Sequence, residues 1–307
     1  MGQNINKLLK IFNHHGNYER IKFYSSLTLR NLNTTKNNNY KVADLGSGYS
    51  FFLAFLRYSL KNSDLYMVDD FKNLDKFHRR NIKKNKKTLN DYLPKINKFL
   101  KKNNIKKKDL NFENETIKFN NNSLDIVTSF HCIEHFHNSP KPFLKEWYRI
   151  LKPNGKLILA VPNAVNLRKR ISVLFGHSNY YRLYDYWNNI PYNGHVREPT
   201  KSELIFFIKE SGFTNIKIYG KNFIGIERFY KIINSLIKND KISFNVVNLI
   251  LKPLELFTGL CTDLHLVYKK KLSQNKIFIN YNLILFSLNL VESISKICCK
   301  KFFSFLI

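Results

Sequence analysis

A short apolar segment that runs directly into a glycine loop is the feature of this chain that most restricts its fold. Residues 42–45 are mostly apolar, Gly46-Ser47-Gly48 follows, and residues 49–60 are apolar on nearly every side, as in a buried helix. A strand that leads through a glycine loop into a helix is typical of a nucleotide-type site at the carboxyl end of a parallel strand. Glycine lets a ligand approach the backbone closely, and the N-terminus of the helix offers free N–H groups to an anion.

Two common phosphate-binding loops are excluded by the residues that follow. A dinucleotide fingerprint requires a third glycine where this chain has Phe51, and a Walker loop ends in Gly-Lys-Ser/Thr, which is absent here. About 20 residues after the loop, Asp69 ends a second apolar segment that begins at Asp64. An acid at this place suits the hydroxyls of a ribose, so the pattern predicts a ligand that contains one.

Continuous apolar segments separated by helical patterns predict a parallel sheet covered on both faces. Ser139-Pro140 is predicted to open a helix, with Pro140 at its first position. The sequence Thr200-Lys201-Ser202-Glu203 forms a capping box for a helix that ends at Gly212. The further predicted strands are 123–130, 156–161, 213–219 and 260–268.

These pieces occur in the order found in class I S-adenosylmethionine-dependent methyltransferases, and the chain resembles the type 11-like group of that family over residues 40–220, or to 271. The segments that carry the resemblance are 44–48, 124–135, 146–157 and 194–200. It implies an α/β fold: a Rossmann-like, doubly wound, seven-stranded, mostly parallel sheet. It also implies an enzyme that moves the methyl group of S-adenosyl-L-methionine in line to O or C of a small molecule, which could be lipid-, quinone- or saccharide-linked.

The resemblance also implies roles for individual residues. His131, His135 and His195 are candidate general bases, because a histidine titrates near neutral pH, although each could equally cap or pack. His195 and Arg197 are candidates for substrate binding. Glu113 stands where the family usually has Asp. The cofactor-binding residues implied by the family motifs are Asp44, Leu45, Gly46, Ser47, Gly48, Asp69, Asp70, Glu113, Phe130 and His131.

The chain carries 51 Lys and Arg against 22 Asp and Glu, a formal charge of +29. This charge has two interpretations: a biased composition, or an anionic partner. Residues 72–110 contain 15 Lys or Arg and 3 acidic residues. We predict that this segment is a basic helical insertion in a methyltransferase domain, 40–271. A helical extension, 1–39, is predicted before that domain, and an apolar, basic helical tail, 272–307, after it.

Two other functions remain open. In the first, 72–110 and 272–307 dock on an anionic membrane surface and the methyltransferase-like fold is secondary; this is compatible with an enzyme that acts on a lipid. The second is an RNA-directed methyltransferase. Nucleic acid is not an expected partner, because 72–110 has few aromatic residues for stacking. The tetrad 189–192 resembles that of adenine N6-methyltransferases, but it follows the fifth strand rather than the fourth, which indicates a loop.

The four cysteines are too few and too irregularly spaced for a disulfide framework, and the chain has no C-x-x-C pair. We therefore expect a reducing compartment and no metal. The sequence shows no signal peptide and no uncharged apolar run of about 20 residues. These features predict a cytoplasmic protein, or one that is peripheral at the inner membrane surface.

Overall fold

The chain divides into two compact units, Met1–Lys270 and Lys271–Ile307. Apart from Lys271, the residues described below belong to the first unit, so the predicted tail 272–307 lies outside them. The computed structural model describes residues 18–32, 39–49, 52–72, 89–111, 115–180, 183–188, 192, 194–223 and 226–271.

Seven strands form one sheet in the order β3-β2-β1-β4-β5-β7-β6. The first five strands pair in parallel, and β7 runs antiparallel to both of its neighbours. This arrangement confirms the predicted seven-stranded, mostly parallel sheet. The strands are β1 Lys41–Leu45, β2 Asp64–Asp69, β3 Ile105–Asp109, β4 Leu124–Phe130, β5 Leu151–Pro162, β6 Phe213–Lys221 and β7 Asp263–Lys270.

Successive side chains of the central strands point to opposite faces of the sheet and pack in two separate cores, one on each face. On one face Val42 and Ile126 pack with the first helices; on the other Ala43 and Val127 pack with the fully buried Trp147. Both faces are covered, as the unbroken apolar strands predict. The described helices are α1 Tyr18–Arg30, α2 Phe52–Ser59, α3 Leu89–Lys102, α4 Lys141–Ile150, α5 Leu167–Leu174, α6 Leu183–Asn188, α7 Lys201–Glu210, α8 Ile226–Ile237 and α9 Asp240–Leu251.

Helix α1 lies in the main core rather than in a separate extension. Ile21, Tyr24 and Leu27 are buried in the same cluster as β1 and α2. The predicted boundary at residue 40 therefore divides one core. The sequence did not indicate where this helix packs, because its apolar positions are scattered among polar ones.

The basic segment 72–110 was predicted to be helical, and this is wrong for its last part, which forms the edge strand β3. Lys106, Lys107 and Lys108 lie on this strand, and their ammonium groups stand over aromatic rings, with Lys107 Nζ 4.0 Å from the Phe71 ring centre and Lys108 Nζ 4.1 Å from that of Phe119. Charged residues on an edge strand hinder pairing with another chain, so these lysines have a structural role. Helix α3 precedes the strand, and residues 73–88 lie outside the described residues.

Several predicted boundaries shift by a few residues. Helix α4 begins at Lys141, one residue later than predicted, with Pro140 at the N-cap position. Strand β5 is longer than predicted because Leu151 already pairs with β4, and a bulge separates this pair from the next. The last strand begins at Asp263 rather than at Leu260. The capping box between Thr200 and Glu203 is present as predicted.

Within the part of the chain that the structure describes, no helix combines the length and the apolar character needed to span a membrane.

Candidate active site

The glycine loop and the acid on the neighbouring strand are in direct contact. The Gly48 N–H donates a hydrogen bond to Asp69 Oδ2 over 2.6 Å. The N–H groups of Gly46 and Ser47 donate to the carbonyl of Val68, over 2.9 and 3.3 Å. The loop after β1 is therefore fixed to the end of β2 by its own backbone, as the strand–loop–helix–strand pattern requires.

Both glycines of the loop adopt a backbone conformation that other residues rarely take, with φ of +68° at Gly46 and +53° at Gly48. They differ in what surrounds them. A Cβ on Gly46 would lie 2.1 Å from Cys132 Sγ, whereas a Cβ on Gly48 would meet nothing within 4 Å. Gly46 is thus required for packing against the turn after β4, and Gly48 borders open space.

Two carboxyl groups at this end of the sheet are easily protonated. Burial raises the pKa of Asp69 to about 6, against the hydrogen bonds from the backbone of Gly48 and Asp70. Burial also raises the pKa of Asp44 to about 7, against a hydrogen bond from Thr128, whose hydroxyl lies 2.7 Å from Asp44 Oδ1. Asp44 is 1% exposed. Its hydrogen bond with Thr128 connects β1 to β4. The Asp69 residue, by contrast, is only half-buried.

Phe130, at the end of β4, belongs to an aromatic stack. Its ring lies parallel to that of Tyr24 on α1, with centres 3.9 Å apart, and Phe52 packs edge-on at 5.0 Å. Helix α1 thereby covers the carboxyl end of β4, and a residue that the sequence assigned to the cofactor is held between two helices.

His131 follows immediately and has a positive φ of 54°. Its Nε2 lies 2.9 Å from the Tyr24 hydroxyl, and its Nδ1 lies 3.4 Å from Glu134 Oε1. Asp263 Oδ1, at the start of β7, is 3.6 Å from Nε2. Burial raises the pKa of Tyr24 well above its usual value, so the phenol stays protonated while its hydroxyl is hydrogen-bonded to Nε2. Two buried carboxylates and a phenol thus fix the orientation of this imidazole.

Glu134, His135 and His195 form a cluster beside His131. One ligand-type atom of each lies within 4.8 Å of the others, and the two imidazole rings meet edge to face at 4.8 Å. His135 Nδ1 lies 3.2 Å from the carbonyl of Gly194, and His195 Nδ1 lies 2.7 Å from Glu198 Oε1. The loops after β4 and before α7 therefore bring together two of the three predicted histidines.

The electrostatics of this cluster follow from burial and close charges. Glu134 is completely buried; burial raises its pKa, but the close contact with His131 and the charges of the three histidines lower it below its ordinary value. The His135 ring reaches solvent on one side, and protein packed around the rest lowers its pKa, as does His195. At neutral pH a carboxylate therefore lies beside a neutral imidazole.

The segment from residue 194 to 198 is held against the turn after β4 by its backbone. The N–H groups of Val196 and Arg197 donate to the carbonyl of Glu134, over 2.7 and 3.2 Å. The Arg197 guanidinium instead points away, to Glu203 Oε1 at 2.6 Å on α7, and its side chain is 69% exposed. His195 and Arg197 thus face different surroundings, although the sequence assigned both to the substrate.

Most of the predicted residues therefore divide into three groups. The glycine loop, Asp69 and Asp70 form the first, and Phe130 with His131 forms the second. His135 and His195 form the third. Glu113 lies outside the described residues, as do three of the four residues of the tetrad 189–192.

Three residues beside Phe130 and His131 were not predicted from the sequence: Tyr24, Asp263 and His265. His265 is completely buried among the rings of Phe23, Tyr24 and Phe223, and this desolvation lowers its pKa well below the usual value. A signal for two of them was present, because an aspartate and a histidine in an otherwise apolar strand are exceptions that call for a reason. Tyr24 had no such signal.

A family model described as "methyltransferase domain" matches residues 14–218. The match begins before α1, in agreement with the burial of that helix in the core. No curated protein matches the chain at a significant level.

Solved structures with a similar fold include proteins described as methyltransferases. A protein assigned as a sarcosine dimethylglycine methyltransferase from Galdieria sulphuraria is 17% identical, with a TM-score of 0.50; the match covers 82% of this chain and 86% of that one. An S-adenosylmethionine-dependent methyltransferase from Archaeoglobus fulgidus is 18% identical, with a TM-score of 0.45 and coverage of 81% and 94%. At this identity, the first of these matches shows similarity of fold alone.

Proposed function

The chain belongs to the methyltransferase domain family, in which S-adenosyl-L-methionine is the methyl donor, and we propose that it methylates an oxygen or carbon atom of a small molecule. The acceptor is proposed to be lipid-, quinone- or saccharide-linked. The observation that carries the proposal is the contact between the glycine loop and Asp69, with Gly48 N–H 2.6 Å from the carboxylate.

The residues at this loop fit the cofactor. Asp69 is a carboxylate in a desolvated place, where hydroxyl donors from a ribose would stabilise its charged form. Each of its oxygens takes one backbone N–H, from Gly48 or Asp70, and each keeps a further acceptor site. The open space beside Gly48 leaves room for a ligand to contact the backbone. Asp44 supports the loop from below through Thr128.

The bound cofactor supplies an electrophilic methyl group on a sulfonium, whose leaving group is already good. The protein then has two tasks: to align the acceptor atom, and to remove a proton if the acceptor is a hydroxyl. His131 is the best candidate for the base, because Nε2 faces a hydroxyl, that of Tyr24, and carboxylates of Glu134 and Asp263 stabilise the charged imidazole that results. A proton leaving the acceptor can reach Nε2 through the Tyr24 hydroxyl.

Calorimetric titration with S-adenosylmethionine and S-adenosylhomocysteine tests the proposal. We expect the wild-type protein to bind both and Asp69→Ala to lose at least about tenfold in affinity, because charged hydrogen bonds contribute roughly 1.5–3 kcal/mol each. The matched control is Asp64→Asn at the opposite end of β2, where Asp64 pairs with Lys106. Absence of binding by the wild type, or equal binding by Asp69→Ala, would contradict the proposal.

The base is tested once an acceptor is known. His131→Asn is expected to reduce turnover by roughly 10²–10⁴-fold with unchanged affinity for S-adenosylhomocysteine. Unchanged turnover in the triple variant of His131, His135 and His195, with cofactor binding intact, would exclude a histidine base.

A second candidate function, docking on an anionic membrane surface, is favoured by one observation. The region from α5 to α6 exposes large apolar and aromatic side chains, and Arg168 and Arg170 are exposed on α5. Apolar side chains flanked by basic ones are typical of helices that lie in a lipid interface. This apolar surface consists of Leu174, Phe175, Tyr180, Leu183, Tyr184 and Trp187, each more than two-thirds exposed.

Flotation with vesicles that contain acidic lipid tests this docking. We expect Leu174→Ser and Trp187→Ser to reduce the floating fraction, and Phe206→Ser, an exposed aromatic residue on α7, to leave it unchanged. The truncated chain 1–271 shows how much of the flotation depends on the tail, residues 272–307. Equal flotation of all variants would remove the docking role from the apolar surface.

A further inference from the structure

Glu134 presents an electrostatic problem that the methyl transfer does not explain. Its side chain is 0% exposed, and within the described ranges neither carboxylate oxygen has a hydrogen-bond partner of ordinary geometry. His131 Nδ1, at 3.4 Å from Oε1, is too distant for a strong hydrogen bond. A buried carboxylate costs several kcal/mol unless a cation or donors compensate it. The structure therefore calls for a positive charge close to Glu134.

The two histidines beside Glu134 are oriented as metal ligands usually are. A metal-bound imidazole ordinarily donates its other ring N–H to a carbonyl or a carboxylate, which fixes the tautomer and the direction of the ring. Here His135 Nδ1 faces the Gly194 carbonyl at 3.2 Å, and His195 Nδ1 faces Glu198 Oε1 at 2.7 Å. If Nδ1 of each ring carries the hydrogen, Nε2 of both His135 and His195 has the lone pair that a metal ion needs.

We propose that Glu134, His135 and His195 bind one divalent transition-metal ion of the Zn²⁺ class. Two imidazole nitrogens and one carboxylate oxygen are a common set for such an ion, with a further position open for a substrate or water. One ligand-type atom of each residue lies within 4.8 Å of those of the other two. Bonds of 2.0–2.1 Å in tetrahedral geometry place ligand atoms about 3.4 Å apart, so the side chains must move closer together to complete the site.

The charges around the cluster suit a divalent cation. Glu134 and Glu198 contribute two negative charges, and Lys169, whose ammonium pairs with Glu198, returns one positive charge. His131 is next to Glu134 on the side of Asp263, and the Tyr192 hydroxyl donates a hydrogen bond to the His195 carbonyl. The exposed side of His135 gives the ion a path from solvent.

The proposal assigns different tasks to the three histidines. His135 and His195 bind the ion, and His131 keeps its contact with Tyr24 and can act as the base. A hydroxyl bound to such an ion loses its proton more easily, so the ion would assist an oxygen acceptor. That assistance rests on the proposed methyl transfer, whereas the binding of the ion does not.

Titration of chelator-treated, tag-free full-length protein with Co²⁺ and Zn²⁺ tests the site directly. We expect one ion per chain and a Co²⁺ visible absorption spectrum that Zn²⁺ abolishes by displacement. At a Zn²⁺ concentration of about 100 times the dissociation constant, the ion should stabilise the fold by about 2.7 kcal/mol.

The variants distinguish ligands from bystanders. His135→Gln and His195→Gln are expected to lose most of the affinity, and Glu198→Gln, which acts through His195, roughly 10–100-fold. His177→Gln is the control, because His177 is exposed and lies outside the cluster. Thermal unfolding and binding of S-adenosylhomocysteine by the metal-free variants confirm that each is folded.

Three results would overturn the proposal: no stoichiometric binding by the wild type, equal binding by the ligand variants, or an equal loss in His177→Gln. Failure of the proposed methyl transfer is separate, because it appears as loss of cofactor binding in the metal-free wild type.

Discussion

The two parts of the site differ in how far apart their members lie along the chain. The glycine loop and Asp69 are 21 residues apart and belong to one strand–helix–strand unit, joined by backbone hydrogen bonds. The histidine side is assembled from α1, the turn after β4, the segment before α7 and the start of β7; Tyr24 and His131 are 107 residues apart. The first part is specified locally, whereas the second exists only when the whole sheet is complete.

This contrast can be tested by changing residues from the most constrained to the least. The largest effect is expected for Gly46→Ala. A positive φ costs an alanine roughly 1–2 kcal/mol, and the collision with Cys132 adds about 1–3 kcal/mol. The free energy of unfolding, measured by chemical denaturation, should fall by roughly 2–5 kcal/mol. Gly48→Ala is the matched control and should lose only about 1–2 kcal/mol; an equal loss in both would contradict the distinction between the two glycines.

The second effect concerns Asp44 and depends on pH. Because the pKa of Asp44 is raised to about 7 in the folded state, the unfolded chain releases its proton first as the pH rises from about 4. The folded state thus loses stability between about pH 4 and pH 7, and Asp44→Asn removes this loss.

Relative to the wild type, the free energy of unfolding of Asp44→Asn should rise by about 3–4 kcal/mol across that window. Asp64→Asn, at the far end of the sheet, serves as the control. A difference that stays flat or falls with pH would show that Asp44 is ionised in the fold.

A smaller effect is expected on the histidine side. Tyr24→Phe keeps the stacking on Phe130 but removes the hydroxyl from His131 Nε2, which should cost about 1 kcal/mol. The exposed Tyr180 provides the control, since Tyr180→Phe loses no described side-chain bond and should change stability by less than about 0.5 kcal/mol. Equal thermal unfolding of Tyr24→Phe and the wild type would mean that this bond does not hold α1 in place.

The smallest effect is expected on the apolar surface. The Trp187 side chain is 78% exposed, so Trp187→Ser removes little buried area and should change the free energy of unfolding by no more than about 0.5 kcal/mol. A loss above about 1 kcal/mol in chemical denaturation would show that another part of the protein covers this residue.

How well the sequence predicts each region follows the same contrast. The glycine loop, Asp69 and six of the seven described strands were readable because each depends on residues close together in the chain. The edge strand β3 was missed because Ile-Lys-Lys-Lys-Asp has the composition of a solvated segment, and only its pairing with β2 reveals it. Asp263 is marked by its place in an apolar strand, but its contact with His131, like that of Tyr24, arises only from tertiary packing. The roles of Glu134 and His195 emerge only when two distant loops meet.

Strand β7 enters the sheet last and in reverse, which has a consequence for protein synthesis. Asp263 pairs with Pro162 at the edge where the parallel strands finish, and β6 is joined to the described sheet only through β7. A nascent chain that has left the ribosome as far as α9 already holds every element of the cofactor loop. It still lacks Asp263, one of the two carboxylates beside His131, so the glycine loop is complete earlier in translation than the histidine side.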